Sequence, residues 1–459
     1  MTLLLYTILA CIAFVSASLP SLNGTSVRTL DASDCPSCNT RTLWDIIWSC
    51  GVTLFACTWT AVHTNVPGMD EKAFAITSRR LFTMVMALIA PELMVTWATR
   101  QFFSARAAAK DFNDEIGAQR AKTQGDHQVI SEATVQSLGE IEKSSGSPSG
   151  PKPADFTVWT ATNGFFAWMG GFMLYIDSKP HATLTPPELL HFVHEGYVDM
   201  PIITEADIED RSKGDGLSKG IAILQLAWFV AQLVARYVQN LPVTLLEIDT
   251  LAITALTCIA YCLWWKKPKD VRRPYVVHWK ATASPPSDLT YEKVESEDSG
   301  VCCLPYFFYL ADPFVSLMGI DAYVSPRATR SHRIPSLGGY GDYHNMTTLF
   351  LGCFSGMVFG AMHCLCWNYS FQSHTEQWRA ASLGTACVPV FLFINIGCSI
   401  WLVDMDSGHG LIMIIAATIS SFIYIAARIT LIILMMLSLR SLPPGVYDTV
   451  DWTRFVPHF

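Results

Sequence analysis

Seven polar side chains stand inside long apolar stretches of the sequence, and they are its best pointers to chemistry: Glu92, Gln225, Gln232, Arg236, Glu247, His363 and Arg428. An ionisable group in such surroundings is costly unless it faces a partner or water, so it marks ion pathways, proton relays or interhelical ties. Glu92 follows Pro91, and the proline removes a backbone donor, bends the helix and frees a carbonyl. A carboxylate beside that break can bind a cation, move a proton or pair with an arginine; the plainer alternative is a structural salt bridge or a protonated, hydrogen-bonded acid. Arg428 lies deep in the last apolar stretch and needs an acidic or carbonyl partner, for which Glu92 is the best candidate in the sequence.

Gln225, Gln232 and Arg236 fall within about 40° of one another on a helix turning 100° per residue. The other faces of that helix are apolar. A narrow polar stripe of this kind lines a cavity, or else it makes interhelical hydrogen bonds that stabilise packing by about 1 kcal/mol each or less. Glu247 opens the next apolar stretch together with Asp249, on one face with Thr254, Cys258 and Tyr261. That face is placed either to meet the stripe or to sit wetted at the membrane interface. Gly352, Gly356 and Gly360 repeat the small-residue spacing that lets helices approach closely. His363, eleven residues after Gly352, points into the same groove as a relay or as a packing histidine.

Other groups carry weaker signals. Cys35 and Cys38 form a Cys-Pro-Ser-Cys run whose expected role is a disulfide, with each other or with another cysteine, in an oxidising lumen. A zinc site would need two further ligands, and no metal is expected. His191, His194 and Glu195 lie within about one helical turn, but the i, i+3 spacing departs from the zinc-protease pattern, and a bare amphipathic helix is expected. Asn23 and Asn368 head glycosylation sequons. Phosphate-cradling loops, dinucleotide glycine fingerprints and nucleophile elbows are absent, and the sequence implies no particular cofactor.

The elements that must position these groups are membrane spans. Hydrophobic residues make up 51% of the chain and charged ones only 15%, against about 25% in soluble domains. The apolar residues come in blocks of about 20, the length that crosses a bilayer. The net charge of −8 is spread along the chain, so no nucleic-acid surface is visible. Residues 1–18 read as a signal peptide, or as a retained anchor, and residues 19–41 as a luminal segment. Spans are expected at about 42–62, 81–103, 156–176, 220–239, 243–265, 346–367, 383–403 and 410–437. Residues 104–154 read as a polar stretch ending in a flexible linker. The stretch 266–345 is polar with an interfacial or re-entrant piece at 301–324, and 438–459 is a tail. Lys266, Lys267, Lys269, Arg272 and Arg273 mark the end of the fifth span as cytosolic by the positive-inside rule.

Six separated motifs occur in order: Trp44-Asp45-Ile46-Ile47-Trp48-Ser49-Cys50, Gly170 to Tyr175, Glu209 to Asp215, Trp264-Trp265 with Pro268, Asp270 and Val271, Ser373 to Gln377, and Leu439 to Gly445. The set resembles an uncharacterised family of fungal multi-pass integral membrane proteins over most of residues 41–459. The resemblance implies a fold and no activity.

The sequence therefore reads as an all-α polytopic helix bundle of about eight spans after a signal peptide, placed in the secretory route. Membrane lipids are its expected partners, with a small molecule or ion as ligand. The expected role is a transport, channel or sensor-type module with polar groups lining an intramembrane cavity. A membrane enzyme acting on a lipid or terpenoid through Glu92 or His363, and a structural scaffold, are the alternatives.

Overall fold

The computed structural model describes residues 40–69, 71–137, 158–213, 216–280, 289–291, 333–341, 345–364, 375–402 and 407–451. Cys35, Cys38, Asn23, Asn368 and the 301–324 stretch lie outside them. Helices are α1 (Leu43–Ala61), α2 (Ala73–Ile89), α3 (Pro91–Ser137), α4 (Ala161–Trp168), α5 (Pro186–His194), α6 (Glu205–Arg211), α7 (Gly216–Val238), α8 (Leu245–Leu263), α9 (Asn345–Cys364), α10 (Thr375–Leu402) and α11 (Ser407–Ser438). Strands β1 (Phe172–Ile176), β2 (Lys179–Thr183) and β3 (Tyr275–His278) form one sheet in the order β2-β1-β3.

Eight spans do not appear among the described residues. Among the described residues three helical stretches are long and apolar enough to cross a membrane: Gly220–Val238, Leu245–Leu263 and Met346–Cys364. Each has 19 residues, about 28 Å of helix at 1.5 Å per residue, close to the thickness of a bilayer core. A fourth is counted only if α2 and the first part of α3, bent by 116°, make one broken span. A shorter apolar helix runs from Phe422 to Ser438.

The expected span at 156–176 is instead the short helix α4 followed by β1. Gly170 and Gly171 end the helix. Gly170 has φ +88°, and a Cβ on Gly171 would lie 2.3 Å from the Phe166 carbonyl oxygen. The apolar residues that suggested a span are buried in a small core formed by Phe166, Phe172, Leu174, Leu184, Phe192 and Val277. That core roofs the sheet with α4, α5 and the middle of α3, so an apolar run meant for lipid by length serves a packed α/β unit. β1 and β2 form a hairpin whose turn residues Asp177 and Ser178 both have positive φ, the geometry two-residue hairpins require. β3 then pairs with β1 in parallel.

The stretch expected to be polar linker from residue 104 is helical to Ser137, as the continuation of α3. Ala105, Ala108, Ala109, Phe112 and Ile116 give it a buried face, and alanine favours helix. Capping boxes start α1 at Thr42, α5 at Thr185, α6 at Thr204 and α8 at Thr244. The α7–α8 hairpin turns at Asn240, with φ +55°.

Within the bundle α8 is the hub. Of its apolar window 67% is buried, against 22% for α7. It packs on α1, α3, α9 and α11. The glycine ladder of α9 works as a close-approach surface: a Cβ on Gly352 would lie 2.4 Å from Thr96 Oγ1 of α3, and one on Gly360 2.3 Å from the Ala386 nitrogen of α10.

Candidate functional site

The helix break between α2 and α3 is where buried charges of the helix bundle meet. Ala90 leaves helical geometry and Pro91 begins α3, so the last carbonyls of α2 have no helical donor. Arg428 of α11 occupies the gap. Its Nε donates to the Ile89 carbonyl at 3.0 Å and an Nη to the Leu88 carbonyl at 3.4 Å. The partial negative charge at a helix C-terminus suits a cation. The guanidinium also stacks 3.9 Å from the Phe359 ring centroid.

Arg428 has a carboxylate too, but its closest is Asp249 of α8, with Nη1 3.7 Å from Oδ1. Glu92 stands beside Arg428 and the Tyr424 hydroxyl and interacts electrostatically with both. Both of its carboxylate oxygens are buried without a well-formed hydrogen bond among the described residues, so the Arg428 charge and the nearby Tyr424 hydroxyl are what they face. It occupies the first turn of α3, where the helix dipole favours an anion.

His363 of α9 completes the cluster. Its Nδ1 lies 2.9 Å from the Phe359 carbonyl and its Nε2 3.0 Å from Asp249 Oδ1. Phe359 and Trp378 flank the ring. Thus α2, α3, α8, α9 and α11 each supply one part, and Glu92, His363 and Arg428 of the expected set are brought together.

The rest of the set goes elsewhere. Gln225 donates to Thr53 of α1 at 3.0 Å. Arg236 is buried and spends its donors on backbone carbonyls: Pro242 at 2.8 Å, Val446 at 3.0 Å and Asp448 at 2.7 Å. It ties the α7–α8 turn to the C-terminal segment. Gln232 is half-buried on the same face. This stripe meets helix α1 and the tail, and at its Arg236 end it also feels the charges of Glu247 and Arg41. Glu247 caps its own helix through Thr244 and pairs with Arg41 at 2.6 Å. His191 and His194 are exposed on α5, and His194 pairs with Glu115 at 3.0 Å. Among the described residues no group of three metal-ligating side chains is assembled.

A second buried site was read as surface charge. Lys267 is 3% exposed. Its Nζ donates to the His63 carbonyl at 2.6 Å and to Gln101 Oε1 at 2.8 Å, with Asn65 Oδ1 at 3.3 Å. The Trp97 and Trp264 rings wall it at 4.9 and 5.1 Å. No carboxylate among the described residues lies within ion-pair distance. Burial pushes the Lys267 ammonium well below its usual range. Asn65, Trp97 and Gln101 all donate to the Gly338 carbonyl, which fixes the 333–341 segment over the cage. Lys269 is also buried and caps α1 by donating to the Thr60 carbonyl at 3.0 Å. Two of the five cations expected to mark the cytosolic face are therefore internal ties.

The Lys267 shift has a sign. The folded state holds fewer protons than the unfolded state between the depressed value and about 10.4, the unperturbed lysine value, so stability must rise with pH across that window. Thermal unfolding in nanodiscs is expected to move to higher temperature from pH 7 to pH 9.5, with the slope flattened in Lys267→Met. Equal slopes in the two proteins would contradict the assignment.

A model of a family of unknown function (DUF8562) matches residues 12–284, more than half of the chain. The chain belongs to that family. The family match contains Glu92, Asp249 and Lys267, and His363 and Arg428 lie beyond it. No curated protein and no solved structure matches the chain.

Asp249 and Lys267 are buried charges that sequence reasoning names only in passing and does not count among the candidates. Asp249 was visible as a second acid in the same apolar helix, about 200° around from Glu247. Lys267 was visible only as one of a basic run. Gln101, in an apolar helix and followed by Phe102-Phe103, was its available signal.

Proposed function

We propose that this is an integral membrane protein of the secretory route, of the fungal multi-pass type its motifs resemble, working as a transport or sensor-type module. The observation that carries the reading is the broken α2–α3 helix, with Arg428 in the gap and Glu92 buried beside it without a well-formed hydrogen bond. Broken helices whose ends face a charged site near the bilayer middle are the binding elements of many transporters. A carboxylate buried without a well-formed hydrogen bond is costly even beside an arginine, which supports a working role for the cluster over a purely structural one. Arg236, Glu247 and Gln225 serve packing, which narrows the working set to Glu92, Asp249, His363 and Arg428.

The test is charge movement in purified protein adsorbed to a solid-supported membrane and challenged with concentration jumps of protons, sodium, potassium and charged metabolites. At least one jump is expected to evoke a transient current, reduced about tenfold or more in Glu92→Gln, a loss of about 1.4 kcal/mol or more. Silence to every jump would leave the cluster as a structural pin and favour the scaffold.

A further inference from the structure

The geometry points to a single proton, shared between Asp249 and His363, that decides whether Arg428 pins the α2–α3 break; this rests on the transport or sensor reading above. The Phe359 carbonyl can only accept, so His363 Nδ1 carries a hydrogen. The 3.0 Å contact between Nε2 and Asp249 Oδ1 then needs one more hydrogen. Either the imidazolium donates to a carboxylate, or a carboxylic acid donates to neutral imidazole. In both forms the pair holds one proton.

When that proton leaves to water, a bare Nε2 lone pair faces a carboxylate oxygen at a distance only a hydrogen bond permits. The contact must open. Arg428 Nη1 already stands 3.7 Å from the same oxygen, and the bare carboxylate now draws it in. Closing that distance moves the guanidinium away from the Ile89 and Leu88 carbonyls, which are weaker, neutral acceptors. The end of α2 then loses its tie to α11. Proton release is thereby coupled to the bend between α2 and α3, and proton uptake restores it.

Several elements packed on the pair offer groups that bear on this exchange. Cys50 of α1 interacts with Asp249. Glu92 comes from α3, Glu247 lies half a turn earlier on α8, Trp378 of α10 flanks the imidazole, and Tyr424 stands with Arg428 on α11. Glu92 is the group able to balance Arg428 while Asp249 is occupied by His363.

The experiment pairs spin labels on Phe82→Cys of α2 and Phe354→Cys of α9, both exposed, in nanodisc-embedded full-length protein, and measures their separation by pulsed dipolar spectroscopy from pH 5 to pH 9. Labelling uses a background in which the other reactive cysteines are replaced. A reversible shift of the distance distribution with pH is expected, absent in Asp249→Asn. The ¹⁵N signal of His363, assigned by loss in His363→Gln, is expected to change over the same range. A distance and an imidazole signal that both ignore pH overturn the proposal without depending on any variant folding. If currents follow another ion while the distance ignores pH, the proton switch fails and the transport reading survives. If the distance follows pH but no jump evokes current, the switch stands and the transport reading fails.

Discussion

Arg428→Leu is expected to remove nearly all folded protein. The substitution leaves Glu92 as a buried carboxylate with no cation and Asp249 with His363 alone, and it strips the Ile89 and Leu88 carbonyls of their donor. Removing one partner of a buried pair costs about 3–5 kcal/mol, and each orphaned carbonyl adds about 1–3 kcal/mol. A typical domain is stable by only about 5–15 kcal/mol, so the variant lies at or past the edge. Fluorescence-detected size exclusion of detergent extracts reads this as loss of the monodisperse peak. Arg428→Lys keeps a cation but loses the planar fork that spans the Leu88 and Ile89 carbonyls, and an intermediate yield is expected. A leucine variant as abundant and heat-resistant as the parent would mean that the guanidinium bears no such load.

Gly360→Ala is the second large effect. The new methyl carbon would lie 2.3 Å from the Ala386 nitrogen and 2.5 Å from its Cα. These are backbone atoms, which cannot swing away as a side-chain tip can, so α9 and α10 must separate. Overpacking of this kind costs about 1–3 kcal/mol or more, and the whole α9–α10 seam shares the displacement. Gly51→Ala is the matched control. It is exposed in mid-helix of α1 with nothing within 4 Å of the new atom, and alanine is favoured over glycine there by about 0.5–1 kcal/mol. Thermal unfolding in nanodiscs should fall sharply for the first variant and stay level or rise for the second. Equal behaviour would place the close helix contact in doubt.

The contrast between those glycines marks how far the sequence can be read. The spacing of Gly352, Gly356 and Gly360 disclosed a contact surface because it is a local, periodic signal. It did not disclose which helices fill it: α10 is the next helix in the chain, but α3 arrives from a distant part of it. Arg428 was legible as a residue needing a partner, and Pro91 as a helix break with a freed carbonyl. That the arginine satisfies the Leu88 and Ile89 carbonyls at that break, with Asp249 closer in ion-pair terms than Glu92, follows from the crossing of α11 over α2 and α8. No short-range pattern encodes that crossing.

Other misreadings have one cause as well. The 156–176 block is as apolar as a span, yet Gly170-Gly171 divides it, and its two halves bury themselves in the α/β unit. Lys267 and Lys269 sit in a basic run that suits a membrane surface. The C-terminus of α1, with carbonyls at Thr60 and beyond, needs cations, and the chain supplies them from 200 residues away. Burial by tertiary neighbours outweighed composition in each case.

The measurement that bears most directly on a working, rather than structural, charge cluster is the reach of water to Glu92. Glu92→Cys in vesicles would be exposed to a membrane-impermeant cationic thiol reagent from each side, with modification at that position quantified by peptide mass spectrometry. Modification from at least one side, faster under the pH that releases the Asp249–His363 proton, is the expected result. A folded variant that resists the reagent from both sides at every pH would contradict it.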